Sequence, residues 1–311
     1  MGSLRGIRGS MRLFPLLMAA VMLLALSVVG CSLGSDDADT TTTIAGEADT
    51  TLPTSDSTPT TLPATTATTS GRGSDTVTVK AYFSQNEVMT PVSRTVPYTL
   101  ATARAAMEEL LRGPNDDEQA RGLFSAIPAG TKLLDVSIAN KVATVDLSAE
   151  FESGGGSLAM FTRLAQVVFT LTQFPSVDSV VFKLEGTKVD LFSGEGIILE
   201  DPQTRADWES MSPAILVESP TQGEVVDSPL RAKGTANTFE GTFIINIVDW
   251  DGLIIAEKIV TATSGSGTRG TFDVTVPFTV TQPGWGALIV FTQSPMDGSQ
   301  QDVVEIPLRL E

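Results

Sequence analysis

Residues 134–147 read Leu134-Asp135-Val136-Ser137-Ile138-Ala139-Asn140-Lys141-Val142-Ala143-Thr144-Val145-Asp146-Leu147. Apolar side chains alternate on both sides of Asn140-Lys141: Leu134, Val136 and Ile138 before it, Ala143, Val145 and Leu147 after it. Period-two alternation puts each set on one face of a strand, and a two-residue connection makes the pair a hairpin. One apolar hairpin face needs a cover, and the flanking sequence offers helices. Upstream, Leu100, Ala103, Met107, Leu110 and Leu111 recur at three- and four-residue spacing until Gly113-Pro114 stops the helix. Downstream, Gly154-Gly155-Gly156 leads to Ser157, an expected N-cap. The helix that follows would carry Leu158, Phe161, Leu164, Ala165, Val168 and Leu171 inward until Phe174-Pro175. A first strand with Val77, Val79, Ala81 and Phe83 on one face and a last strand near 177–184 complete the order β-α-β-β-α-β. The expectation is an α+β domain over 75–201, with helices on one face of a small sheet.

After Pro213 the helical period vanishes. Short β-rich runs recur about every ten residues, at 215–218, 230–236, 243–248, 253–261, 270–276, 287–292 and 303–310, separated by turns such as Asp251-Gly252 and Asp297-Gly298. This predicts an immunoglobulin-like β-sandwich over 213–311, its core made by side chains alone because the chain has one cysteine. The connection, 202–212, is short and polar, so the two domains are expected to sit close together.

The N-terminal part reads differently. Arg5, Arg8 and Arg12 precede an uncharged run from Leu13 to Val29, and Val28-Val29-Gly30-Cys31 follows. Small side chains before a cysteine are what a lipoprotein signal peptidase needs, and the thiol of Cys31 accepts the lipid. Seventeen residues broken by Pro15 fall short of the roughly 20 that span a bilayer. Residues 1–30 therefore read as a signal peptide, Cys31 as the lipidation site, and the chain as held on the extracytoplasmic face of the cell membrane. Residues 31–74, with runs such as Thr40-Thr41-Thr42-Thr43 and prolines at 53, 59 and 63, read as a disordered tether. Its span as a flexible coil is about 35 Å. Such Thr/Pro-rich stretches are also typical O-glycosylated stalks.

Several segments resemble known families. Residues 105–114 (Ala-Ala-Met-Glu-Glu-Leu-Leu-Arg-Gly-Pro), 125–131 (Ser-Ala-Ile-Pro-Ala-Gly-Thr), 143–148 (Ala-Thr-Val-Asp-Leu-Ser) and 168–175 resemble, in order, motifs of the GerMN domain of sporulation and spore germination proteins. Ser219-Pro220, Lys233-Gly234-Thr235-Ala236, Phe239-Glu240-Gly241 and Ile306-Pro307-Leu308 resemble the immunoglobulin-like domain of bacterial spore germination proteins. The resemblance implies a surface lipoprotein without an established catalytic centre, and a link to sporulation or germination.

Composition narrows the chemistry. The net charge of −17 becomes more negative once the three arginines of the signal are removed, so nucleic acid is not an expected partner. With no histidine there is no Ser-His-Asp triad, Cys-His pair or imidazole metal ligand, and no cofactor is expected. Asp146 and Glu150, beside the glycine loop, are the candidate carboxylate pair for wall hydrolysis. Asp249-Trp250-Asp251-Gly252 looks like the start of a calcium loop, but Leu253, Ile254 and Ile255 follow, so an Asp-Gly hairpin is expected. Gly194-Glu195-Gly196 lacks the Lys-Ser/Thr of a phosphate loop. Trp250 and Trp285 could stack on sugars if exposed, although at least one is expected in the sandwich core. The reading is a non-catalytic envelope lipoprotein, bound to the membrane through Cys31 and contacting an envelope protein or itself. The contact is expected at the 77–83 strand or the loop after Gly113. The alternatives are a cell-wall glycan-binding module and, more weakly, a carboxylate enzyme acting on the wall.

Overall fold

The computed structural model describes residues 75–194 and 196–311; the signal, Cys31 and the tether lie outside them. Strands β1 (Thr76–Gln85) and β2 (Val88–Pro97) form a full antiparallel hairpin, with Gln85 opposite Val88. Asn86 and Glu87 both have positive φ, the backbone of a tight two-residue hairpin turn. The return strand was not expected. Pro91 and Pro97, with Thr90, Ser93 and Arg94, break the alternation that marks a strand.

Helix α1 (Thr102–Arg112) ends at Gly113, whose φ of 85° suits glycine. A short second helix, α2 (Asp116–Ala120), carries a reciprocal capping box between Asn115 and Glu118. Next come β3 (Leu133–Ala139), β4 (Val142–Leu147), α3 (Ser157–Leu171), β5 (Ser179–Leu184) and β6 (Thr187–Lys188), giving a sheet ordered β3-β4-β5-β6. The turn at Asn140-Lys141 has positive φ at both residues, as the sequence implied. A bulge at Leu134 lets Leu133 pair with Leu147 and pack on the core, the role expected for Leu134. Gly156, rather than Ser157, occupies the cap position of α3.

The layering differs from the expectation. Both helices touch the β1–β2 hairpin as well as the sheet, so α3 is buried almost all round from Met160 to Leu171. Its first turn escapes: Leu158 and Phe161, expected inside, are 54% and 41% exposed. A small hairpin of β7 (Leu191–Phe192) and β8 (Ile197–Ile198) and a 3₁₀ turn, Arg205–Met211, close the domain.

The C-terminal domain is a sandwich. Strands β9 (Ile215–Ser219), β11 (Leu230–Ala236) and β14 (Gly270–Val276) form one sheet, ordered β14-β11-β9. The other contains β10 (Val225–Val226), β12 (Thr242–Val248), β13 (Ile254–Thr261), β15 (Gly284–Gln293) and β16 (Gln300–Leu310), ordered β10-β16-β15-β12-β13. Phe243 and Phe272 meet edge to face at 4.9 Å in a core of Ile, Leu and Val. Only glycine fits at 234, because a Cβ there would lie 2.0 Å from the Leu216 carbonyl oxygen.

Candidate functional site

The junction between the domains comes first, because it fixes which surfaces are free. On β9, Ile215 and Val217 enter the sandwich core while Leu216 enters the core of the α+β domain. Alternation along a single strand thus serves two cores. Beside it, Tyr82 Oη–H donates to Glu218 Oε1 at 2.6 Å, and Arg205 Nη1 donates to the same oxygen at 2.6 Å. The guanidinium lies 5.3 Å from the Tyr82 ring centre and 4.9 Å from that of Phe169. Burial pushes the Glu218 carboxyl up, but the Arg205 charge and the two hydrogen bonds outweigh it and hold the group below the usual carboxylate range. Burial raises the Tyr82 phenol, so it stays protonated and donates. Ser93 Oγ–H donates to Glu224 Oε1, and Arg269 forks onto Glu209 in the connecting turn. The connection is therefore built into both domains, with Trp208 and Met211 buried rather than a merely polar link.

The first strand does not offer the expected contact edge. Polar residues on α3 and just past its end close it. Gln173 accepts the Lys80 N–H at 2.8 Å and donates to the Lys80 carbonyl at 2.7 Å. Thr170 Oγ1 accepts the Tyr82 N–H at 3.1 Å, and Gln166 donates to the Tyr82 carbonyl at 3.1 Å. Phe124 bridges Ser84. The loop after Gly113 is likewise committed, since buried Glu118 receives both Arg94 Nη1 and Nη2 at 2.6 and 2.7 Å. A bare edge lies on β3, as one also does on β13 of the sandwich. Among the described residues no strand pairs with the outer edge of β3, and Leu134 and Ile138 are each 41% exposed there.

The candidate carboxylates have structural partners. Asp146 Oδ1 accepts the Gly186 N–H at 3.0 Å, and the Ser148 hydroxyl holds fully exposed Glu150 below its usual range. At the expected hairpin, Leu253 N–H donates to Asp249 Oδ1 at 3.0 Å and Asp249 N–H to the Leu253 carbonyl at 3.0 Å. Neither Trp250 nor Trp285 fills the sandwich core. They are 64% and 48% exposed, because phenylalanines and aliphatic residues already fill the space between the sheets. Val248 pairs with Ala287, which places both tryptophans at one end of the larger sheet, and Arg309 lies 4.7 Å from the Trp285 ring centre. Among the described residues no group of three or more acidic, cysteine or histidine side chains could hold a metal.

Residues 80–190 match the family model Germane, described as sporulation and spore germination, and residues 214–299 match Gmad2, the immunoglobulin-like domain of bacterial spore germination. The chain thus pairs a GerMN (Germane) domain with an immunoglobulin-like spore germination domain. Among curated proteins it is similar to lipoprotein LpqB of Thermobifida fusca, 30% identical over 134 residues. That match covers 43% of this chain and 20% of the relative, so the chain spans about a fifth of its length. Among solved structures it is similar to the first GerMN domain of the sporulation protein GerM from Bacillus subtilis, with 27% identity, 42% of this chain, 99% of that one and a TM-score of 0.36. The tandem GerMN domains of the same protein align at 18% identity over 64% of this chain and 61% of that one, with a TM-score of 0.37.

Proposed function

We propose that the chain is a lipid-anchored envelope lipoprotein, acting without catalysis as a protein-interaction or assembly module on the extracytoplasmic face of the membrane. The observation that carries this reading is the bare β3 edge with its exposed Leu134 and Ile138. An open edge is a ready template for another chain, an envelope protein or a second copy of this one. Attachment through Cys31 fits the relative named a lipoprotein, and confinement to a surface raises effective concentration enough for weak contacts to work. A role in spores is not required by this mechanism. Photo-crosslinking residues at 134, 138 and, for comparison, 259 on β13 test the proposal in living cells. Adducts concentrated at 134 and 138 are expected, and their complete absence would overturn it. Cys31→Ser should separately abolish lipid labelling, and unchanged labelling would remove the anchor from the proposal.

A second reading, glycan binding, is favoured by exposed Trp250 and Trp285 at one sheet end. Soluble peptidoglycan fragments should quench their fluorescence if it holds, and Trp250→Ala with Trp285→Ala should remove that response.

A further inference from the structure

The free edge of β3 carries a fixed pattern of unused backbone groups. Ala139 stands opposite Val142 across the two-residue turn, and Ile138 with Ala143 and Ser137 with Thr144 follow. Residues flanking such a turn exchange both of their backbone hydrogen bonds, and every second pair along the ladder repeats this. Ala139 and Ser137 therefore turn their N–H and C=O groups towards β4, whereas Ile138 and Val136 turn theirs outward. Among the described residues nothing bonds to those outward groups. The rim is accessible, since Leu134, Asp135, Ser137, Ile138 and Ala139 are all exposed.

Another strand pairs here only if its own free groups face those of Val136 and Ile138. A second copy of β3, turned antiparallel about a two-fold axis between the two Ser137 residues, meets that condition. Val136 of each copy then stands opposite Ile138 of the other, and two exchanged pairs use all of these groups. An axis at Val136 would draw in the bulge at Leu134, and one at Ile138 would draw in the turn residue Asn140. The side chains suit the same register. On one face Leu134, Val136 and Ile138 of the two copies form a single apolar row. On the other, Ser137 meets Ser137 and Asp135 lies opposite Ala139, with Lys141 of the other copy on the diagonal. Opposite charges thus approach and no like charges stand directly opposite. Asp135 is also paired within its own copy, with Arg104 at 3.2 Å, so an acidic chain presents no acidic seam here. The geometry points to a homodimer in which two β3 edges join the four-stranded sheets into one continuous sheet. This inference rests on the interaction reading above and commits it to a second copy of the chain. Anchoring both copies to one membrane face raises their effective concentration and favours the contact.

The test places cysteines along β3 in the full chain, held in phosphatidylcholine vesicles under a mild oxidant. Disulfide-linked dimer is read above that of the unsubstituted chain, whose one cysteine is Cys31. Ser137→Cys should crosslink fastest. Residues facing each other in a non-hydrogen-bonded pair have Cα atoms about 4.5 Å apart, within the roughly 4.4–6.8 Å of disulfides. Asp135→Cys alone should crosslink about tenfold more slowly, because its counterpart is Ala139, and mixing it with an Ala139→Cys chain should restore the rate. Ile259→Cys, on the bare β13 edge, should stay at background. Ile138→Lys, added to Ser137→Cys, puts a charge into the apolar row and should cut crosslinking about tenfold. Ile138 is exposed, so the melting temperature should hold. Equal crosslinking at 137 and 259, an Asp135→Cys chain that matches Ser137→Cys without its counterpart, or no dimer at 137 would each overturn the inference. If photo-adducts at 134 and 138 carry a different protein while 137 stays unlinked, the dimer fails and the interaction reading stands.

Discussion

Glu218 shows how much one side chain can decide. It faces Arg205 and Tyr82, and its side chain keeps about a quarter of its exposure. Removing one partner of a fully buried pair costs about 3–5 kcal/mol; partial exposure here reduces the expectation for Glu218→Gln to about 1–3 kcal/mol. Tyr82→Phe, which leaves the ion pair in place, should cost about 1 kcal/mol. Thermal unfolding of both variants checks the order. A pH series checks the electrostatics. The folded carboxyl is held below its unfolded value near 4.3, so its contribution is complete above that pH and is lost as pH falls through the lower folded value. Wild type should therefore lose stability more steeply than Glu218→Gln as pH falls below about 4.3. An equal slope would show that Glu218 is not held by Arg205. No sequence signal marks this residue, because its phenol partner lies 136 positions away.

At the level of elements, α3 was legible by its apolar period, but the task of its polar residues was not. Gln166 and Thr170, with Gln173 just past the helix end, stand in for a neighbouring strand along β1. β2, broken by prolines, carries no alternation to mark it, so the sequence shows no hairpin for that side of the helix to meet. The apolar period also placed Leu158 and Phe161 inside, whereas both are exposed, Phe161 with Trp208 against its ring. Gln173→Ala should leave Lys80 without partners for both backbone groups and cost about 1–3 kcal/mol. Hydrogen exchange at Lys80 should quicken while that of β4 stays slow. Uniform quickening across both strands would mean that Gln173 supports the whole domain instead.

For the whole molecule, the two domain types and their order were legible, since each follows its own hydrophobic period. Their junction was not, because Leu216 looks like any alternating strand residue. Leu216→Ala removes packing from the first core and Val217→Ala from the second. The first should cost about 2–5 kcal/mol, and both should shift one and the same calorimetric transition. Two transitions, each responding to only one substitution, would show that the domains unfold separately.

A strand divided between two cores also bears on ancestry. Domains are exchanged between genes where a boundary can be severed without loss, and here severing at 213 would take away Leu216 and leave a hole in the first domain's interior. This pair should therefore be inherited as a block. Among descendants, replacements at 216 should co-vary with those at its first-domain neighbours more closely than with the rest of the sandwich. A GerMN domain that stands alone must have found another side chain for that place.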